Sequence, residues 1–186
     1  MWQILLYLNY ATFSLALLAF LPISFFAALA KHKKRKSFAA SKAIAPLIFL
    51  VYFYILVRPV GGWSETGQSD PSITLNPVDA FRYADAGLTW QMAGLNMLLF
   101  VPLGIIVFLA ANTSIVMWLA GPLFSFAIEA SQSALGTGRQ SDTVDLVANS
   151  AGYITGVAFS LAALFAVRYL TRSSVHTGSE ANAARG

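Results

Sequence analysis

No charged residue stands between Trp2 and Ala30, and none between Ala93 and Ala111. Runs of this kind are long enough to cross the hydrocarbon of a bilayer, which takes about 20 apolar residues in a helix. Hydrocarbon offers no water to the backbone, so such a run must satisfy its own N–H and C=O groups by closing into a helix. That excludes nearly every architecture except a membrane helix bundle. Charged residues make up only 11% of the chain, against about a quarter of an ordinary soluble domain. No polar stretch is long enough to hold a second domain. The reading is therefore all-α: one polytopic membrane domain over residues 1–172 with about five transmembrane helices, then a small, polar tail at 173–186 expected to be disordered.

The five apolar segments follow one another with short interruptions. The first runs from about Trp2 to Ala30, with Pro22 expected to kink it. No basic residue precedes it, so it reads as a retained helix rather than a cleaved signal. Six of the twelve basic residues then fall between Lys31 and Lys42. Concentrated beside a hydrophobic segment, they mark a cytoplasmic loop rather than a nucleic-acid surface. The second segment covers about 43–57 and ends at Arg58-Pro59. A long, net acidic loop spans 58–92, with Trp63 and Trp90 suited to the membrane interface. Within it, Ile73–Val78 is too apolar for a free linker and is expected to fold back onto the bundle. The third segment spans about Ala93–Ala111, the fourth Ile115–Leu135, and the fifth Asp142–Tyr169, flanked by Arg168 and Arg172. Charge bias thus puts the N-terminus outside and the C-terminus inside a cytoplasmic membrane. The chain has no cysteine, which removes disulfides, zinc–thiolate sites and cysteine nucleophiles.

In this topology three segments bring polar residues to the same outer level. Asn96 opens the third. Glu129 and Gln132 close the fourth and share a face with Ser125. Arg139, Asp142, Asp145 and Asn149 open the fifth. On a helix Asp142, Asp145, Asn149, Gly152 and Gly156 recur about every 3.5 residues, so they form one stripe that must turn toward protein or water. Gly152 and Gly156, with Gly104 on the third segment, read as helix-packing positions. Asp142 reads equally well as a helix cap. Glu129 is harder to dismiss, because a charge at mid-membrane costs about 2.5–3.5 kcal/mol on insertion scales, less near the edge. Arg139 is the nearest cation in sequence. The two form either a structural ion pair or part of a binding site.

The spacing Asn96-x3-Phe100-x-Pro102-x-Gly104, then Glu129-x2-Gln132, then Gly138-Arg139-x2-Asp142-x2-Asp145-x3-Asn149-x2-Gly152-x3-Gly156, resembles the VanZ-like family of bacterial membrane proteins. Leu75-Asn76-Pro77 is similar to the family's Asn-Pro-Phe-like segment, with Val78 where an aromatic is usual. The motifs cover about residues 73–160. The resemblance implies a polytopic membrane fold. It also implies a link to resistance against the glycopeptide teicoplanin, because the family is named for a protein linked to that resistance.

The candidate ligand-binding set is thus Asn96, Glu129, Gln132, Arg139, Asp142, Asp145 and Asn149. Such a set suits a sugar or phosphate head group, with Arg139 as the anion contact, or a divalent cation through oxygen ligands. No metal and no cofactor is assigned. His32 and His176 both fall on the opposite, cytoplasmic side, so histidine acid–base chemistry at the set is not expected. The leading reading is a protein that binds an amphiphile at the outer leaflet: a membrane lipid, a lipid-linked cell-wall intermediate or a lipoglycopeptide. The alternatives are a transferase or hydrolase acting on a lipid head group and a structural partner of cell-envelope machinery.

Topology is directly testable. A fluorescent protein fused to the C-terminus is expected to be bright and an alkaline phosphatase fusion inactive. The opposite pattern would invert every placement above.

Overall fold

A backbone sealed in hydrocarbon has only its own carbonyls to bond, and the computed structural model is accordingly helical almost throughout. It describes residues 8–33, 46–51, 53–54, 67, 73–74, 76–83, 85–111, 115–136 and 141–183. The helices are α1 (Tyr10–Lys33), α2 (residues 46–51 and 53–54), α3 (Pro77–Tyr83), α4 (Ala86–Ala110), α5 (Ile115–Leu135) and α6 (Thr143–Ala183). Among the described residues, four stretches are long and apolar enough to cross a membrane: Tyr10–His32, Ala86–Ala110, Ile115–Leu135 and Thr143–Arg172. The chain is a polytopic helical membrane protein.

Capping chemistry sets where the helices begin. Asn9 Oδ1 accepts from the amides of Ala11 and Thr12, both at 3.0 Å, while Thr12 Oγ1 accepts from the Asn9 amide at 2.8 Å. That reciprocal cap starts α1 at Tyr10. Asp85 caps α4 in the same manner, accepting from Gly87 N at 2.7 Å and Leu88 N at 3.2 Å. The third helix therefore starts at Ala86, seven residues before the Ala93 suggested by apolarity alone. The expected loop is shortened further by α3. Its Ile73–Thr74 stretch (β1) pairs in parallel with Ser141–Asp142 (β2), in the register Ile73 to Ser141 and Thr74 to Asp142. Gly67 N donates to the carbonyls of Leu135 (2.8 Å) and Gly136 (3.1 Å), taking up acceptors at the end of α5. At the other extreme the backbone of α6 continues as a helix to Ala183. Extending an established helix fixes one residue per bond gained, whereas a free tail would first have to nucleate.

The central contact is between α4 and α6. A Cβ at Gly152 would collide with the Met97 carbonyl, one at Gly156 with the Val101 carbonyl, and one at Gly104 with the Tyr153 carbonyl. The two backbones therefore touch directly, which only glycine allows. This seam stacks Phe100, Leu103, Val107, Phe108, Tyr153 and Val157 into one buried core.

α1 lies along both helices. At one end Gln91 Nε2 donates to Leu8 O at 3.1 Å. At the other, Lys31 Nζ donates to Phe108 O and, at 2.8 Å, to Ala111 O, and sits over the Phe108 ring. Hence α1 and α4 run the same way. α5 returns antiparallel, and Phe49 and Phe53 of α2 pack on its Phe124, the closer ring 4.7 Å away.

Gly156→Leu is expected to lower the unfolding midpoint in detergent well below that of Ala158→Leu, because Ala158 is exposed and overpacking costs about 1–3 kcal/mol. Equal shifts would mean that the seam does not hold the bundle.

Candidate functional site

The polar residues collect at the end of the bundle where α4 and α6 begin and α5 finishes. Asn96 lies on the third turn of α4. Its Nδ2 donates to Asp145 Oδ1 of α6 at 2.6 Å. Glu129, in the last third of α5, is 7% exposed, and its Oε2 accepts from the Asp142 backbone amide at 3.2 Å. Asn149 Nδ2 donates to Ser125 Oγ across α5 and α6 at 3.0 Å. These three bonds tie three helices together at neighbouring levels. Gln132 is buried beside them on α5. Arg139 lies outside the described residues, so its proposed pairing with Glu129 does too.

Local sequence explains each placement. Asp142 is the N-cap of α6: its Oδ1 accepts from Val144 N at 2.9 Å, satisfying an amide that has no partner within the helix. Asp145 occupies the first turn of α6, where the partial positive charge of the helix favours an acid. Glu129 sits near the C-terminal end of its own helix, where the dipole opposes it. Its carboxylate is instead turned to the start of α6 and takes the Asp142 amide. Ser125 shares the Glu129 face, as its spacing indicates, and becomes a direct partner of Asn149.

Beneath this layer Tyr153 closes the seam. It is fully buried, and its hydroxyl donates to Met117 O at 2.6 Å. Gly121 makes room for its ring, since a Cβ there would overlap the Tyr153 ring atoms. Sequence reading missed both contacts. The available signal was the four-residue step from Asn149 to Tyr153, which puts them on adjacent turns of one face.

One polar atom in this layer is left over. Asn149 is 5% exposed, yet its Oδ1 has no hydrogen-bond partner. A buried acceptor in that state costs about 1–3 kcal/mol. Among the described residues no three acidic or histidine side chains converge as a metal-ligand set. The groups present are suited to accepting hydrogen bonds from hydroxyl, amide or ammonium donors.

On the other flank of the α4–α6 seam lies an apolar groove of about 650 Å³. Phe13 of α1, Phe81 of α3, Trp90 and Met97 of α4, and Val147 and Ala148 of α6 line it. The Phe81 and Trp90 rings stand 5.3 Å apart at its edge. No part of the groove was visible in the sequence, because four separate stretches of chain build it.

A family model described as VanZ/LLP1 matches residues 43–166, the stretch that contains every polar residue of the site. No curated protein and no solved structure matches the chain.

The capping role of Asp142 can be separated from any role of its charge. Asp142→Ala is expected to cost about 0.5–2 kcal/mol of stability and Asp142→Asn only a few tenths, because either side chain can cap. Equal losses by thermal unfolding in detergent would show that the charge, not the cap, holds α6 in place.

Proposed function

The chain belongs to the VanZ/LLP1 family, and from that membership and the polar end of the bundle we propose that it binds the polar head group of a membrane amphiphile at the outer face. The observation that supports this most directly is the convergence of three cross-helix polar bonds at one end of an otherwise apolar bundle. Polar and ionisable groups inside membrane segments are expensive, and they mark binding sites and pathways more often than they stabilise. A set rich in carboxylate and amide oxygens suits a head group that offers hydroxyl, amide or ammonium donors. The Asn149 Oδ1 acceptor is the group such a donor would relieve.

A glycosylated or aminoacylated lipid, a lipid-linked cell-wall intermediate and a lipoglycopeptide all have this chemistry. Binding one of them at the outer leaflet is how the protein would contribute to teicoplanin-type resistance or to envelope maintenance. An acid–base or phosphoryl-transfer role would need a nucleophile or general base aimed at a substrate bond. Nothing in the hydrogen-bond pattern of Glu129, Asp142 or Asp145 singles one out.

The test is lipid mass spectrometry on the protein purified in mild detergent. The native chain is expected to retain a polar lipid, and Asp145→Asn to retain it at least about tenfold less, equivalent to ~1.4 kcal/mol. The unfolding midpoint should change little, because an asparagine can still accept from Asn96. Unchanged retention would sink the head-group reading in favour of a scaffold. Accumulation of a chemically altered lipid with the native protein alone would replace binding by catalysis.

A further inference from the structure

We propose that the apolar groove beside the polar end holds one acyl chain of a bilayer phospholipid as a discrete site. The assignment rests on the head-group reading for the choice of an amphiphile, and adds the place where its hydrocarbon goes. Three observations carry it.

The first is depth. Phe13, Trp90, Met97, Val147 and Ala148 all belong to the stretches Tyr10–His32, Ala86–Ala110 and Thr143–Arg172, which are apolar and long enough to cross a membrane. At that depth the surrounding solvent is hydrocarbon. A groove of about 650 Å³ is far larger than one side chain and falls within the usual range of ligand pockets, ~300–1,000 Å³.

The second is chemistry. Beside the apolar lining the groove carries two amide side chains, Asn9 and Gln91, and the amphipathic Tyr10 and Trp90, and each amide already has one polar atom engaged. Asn9 Oδ1 accepts the first amides of α1, and Gln91 Nε2 donates to Leu8 O. A water would find too few partners to be held there, and apolar cavities of this kind stay dry. A polar ligand would be desolvated without compensation. A saturated chain has neither penalty.

The third is registration with the polar site. Ala93 and Met97 of the groove bracket Asn96, and Val144 and Ala148 bracket Asp145. A chain lying in the groove therefore leaves its head beside the Asn96–Asp145 pair. Trp90 and Phe81 stand at the edge, and tryptophan favours the level where chain meets head group.

The experiment uses the full chain in vesicles of phosphatidylethanolamine and phosphatidylglycerol, doped with a phospholipid carrying a diazirine midway along one acyl chain. Cross-links are mapped by mass spectrometry. Labelling is expected at Met97, Val147 and their neighbours, at least about fivefold above that at Leu119, Leu123 and Phe126, which are exposed on α5. Val147→Trp fills the groove from its open side, where Val147 is 59% exposed, and should bring groove labelling down to the α5 level. Gly94→Val is the second variant, because a Cβ there already meets Leu8 and Phe13 at 3.4 Å. Groove labelling no stronger than that on α5, or unaltered by both substitutions, overturns the proposal. So does a cross-linked pair of chains joined through the groove, or labelling that appears only after residues 1–7 are removed. The two readings fail separately: unchanged lipid retention in Asp145→Asn counts against the head-group site alone, and unchanged labelling in the groove variants counts against the chain site alone.

Discussion

Direct backbone contact between α4 and α6 is the constraint on which the rest of this structure depends. In hydrocarbon there is little hydrophobic gain from bringing two helices together, so close packing must supply the attraction. Gly104, Gly152 and Gly156 remove the side chains that would hold the helices apart, and the carbonyls of Met97, Val101 and Tyr153 fill the space. The contact is also a ruler. With Met97 opposite Gly152 and Val101 opposite Gly156, the register also fixes the level of Asn96, next to Met97, which reaches up to Asp145, about two turns above Gly152. A shift of one residue would rotate the acid off the asparagine. The polar end is thus a consequence of where the glycines fall.

The same contact sets the direction of the helices and with it the charge distribution. α1, α4 and α6 run in parallel, so three helix N-termini lie at one end and three C-termini at the other. Helix dipoles favour acids at the first and bases at the second. Asp85, Asp142 and Asp145 occupy the starts of α4 and α6. Lys31 donates to the last carbonyls of α4, and Arg168 stands near the C-terminal end of the α6 span. The charge bias that orients a membrane protein and the dipoles of three parallel helices therefore point the same way. Each acid at the polar end has a structural reason to be there.

Much of the architecture was legible in the sequence, because it follows from periodicity and from what a bilayer permits. The stripe from Asp142 to Gly156 has a period close to the helix repeat, and its members do share a face. What periodicity cannot supply is the partner of that face. The α5 side of the seam also takes Tyr153, through Gly121, and no periodic pattern pairs those two positions. The start of α4 was misjudged because Gly87, Thr89 and Gln91 look like loop residues. Two amides bonded to Asp85 outweigh that appearance. β1 with β2 and the groove join stretches far apart in the chain, and no local pattern reports such contacts.

Glu129 shows why the polar end is more than a set of caps. A carboxylate near the C-terminal end of an apolar helix has both the dipole and the bilayer against it. The chain could have carried a glutamine or a leucine there at lower cost. Instead the acid is buried and accepts from the amide of Asp142, the residue that caps α6, so the end of one helix anchors the beginning of the next. That anchoring takes up an amide at the entry to α6 that has no partner within the helix. One turn deeper, Asn149 donates to Ser125 and leaves its carbonyl oxygen unsatisfied. A buried acceptor left over at Asn149, close to an apolar groove, is the property expected of a surface that recognises a molecule with a polar head and a hydrocarbon tail.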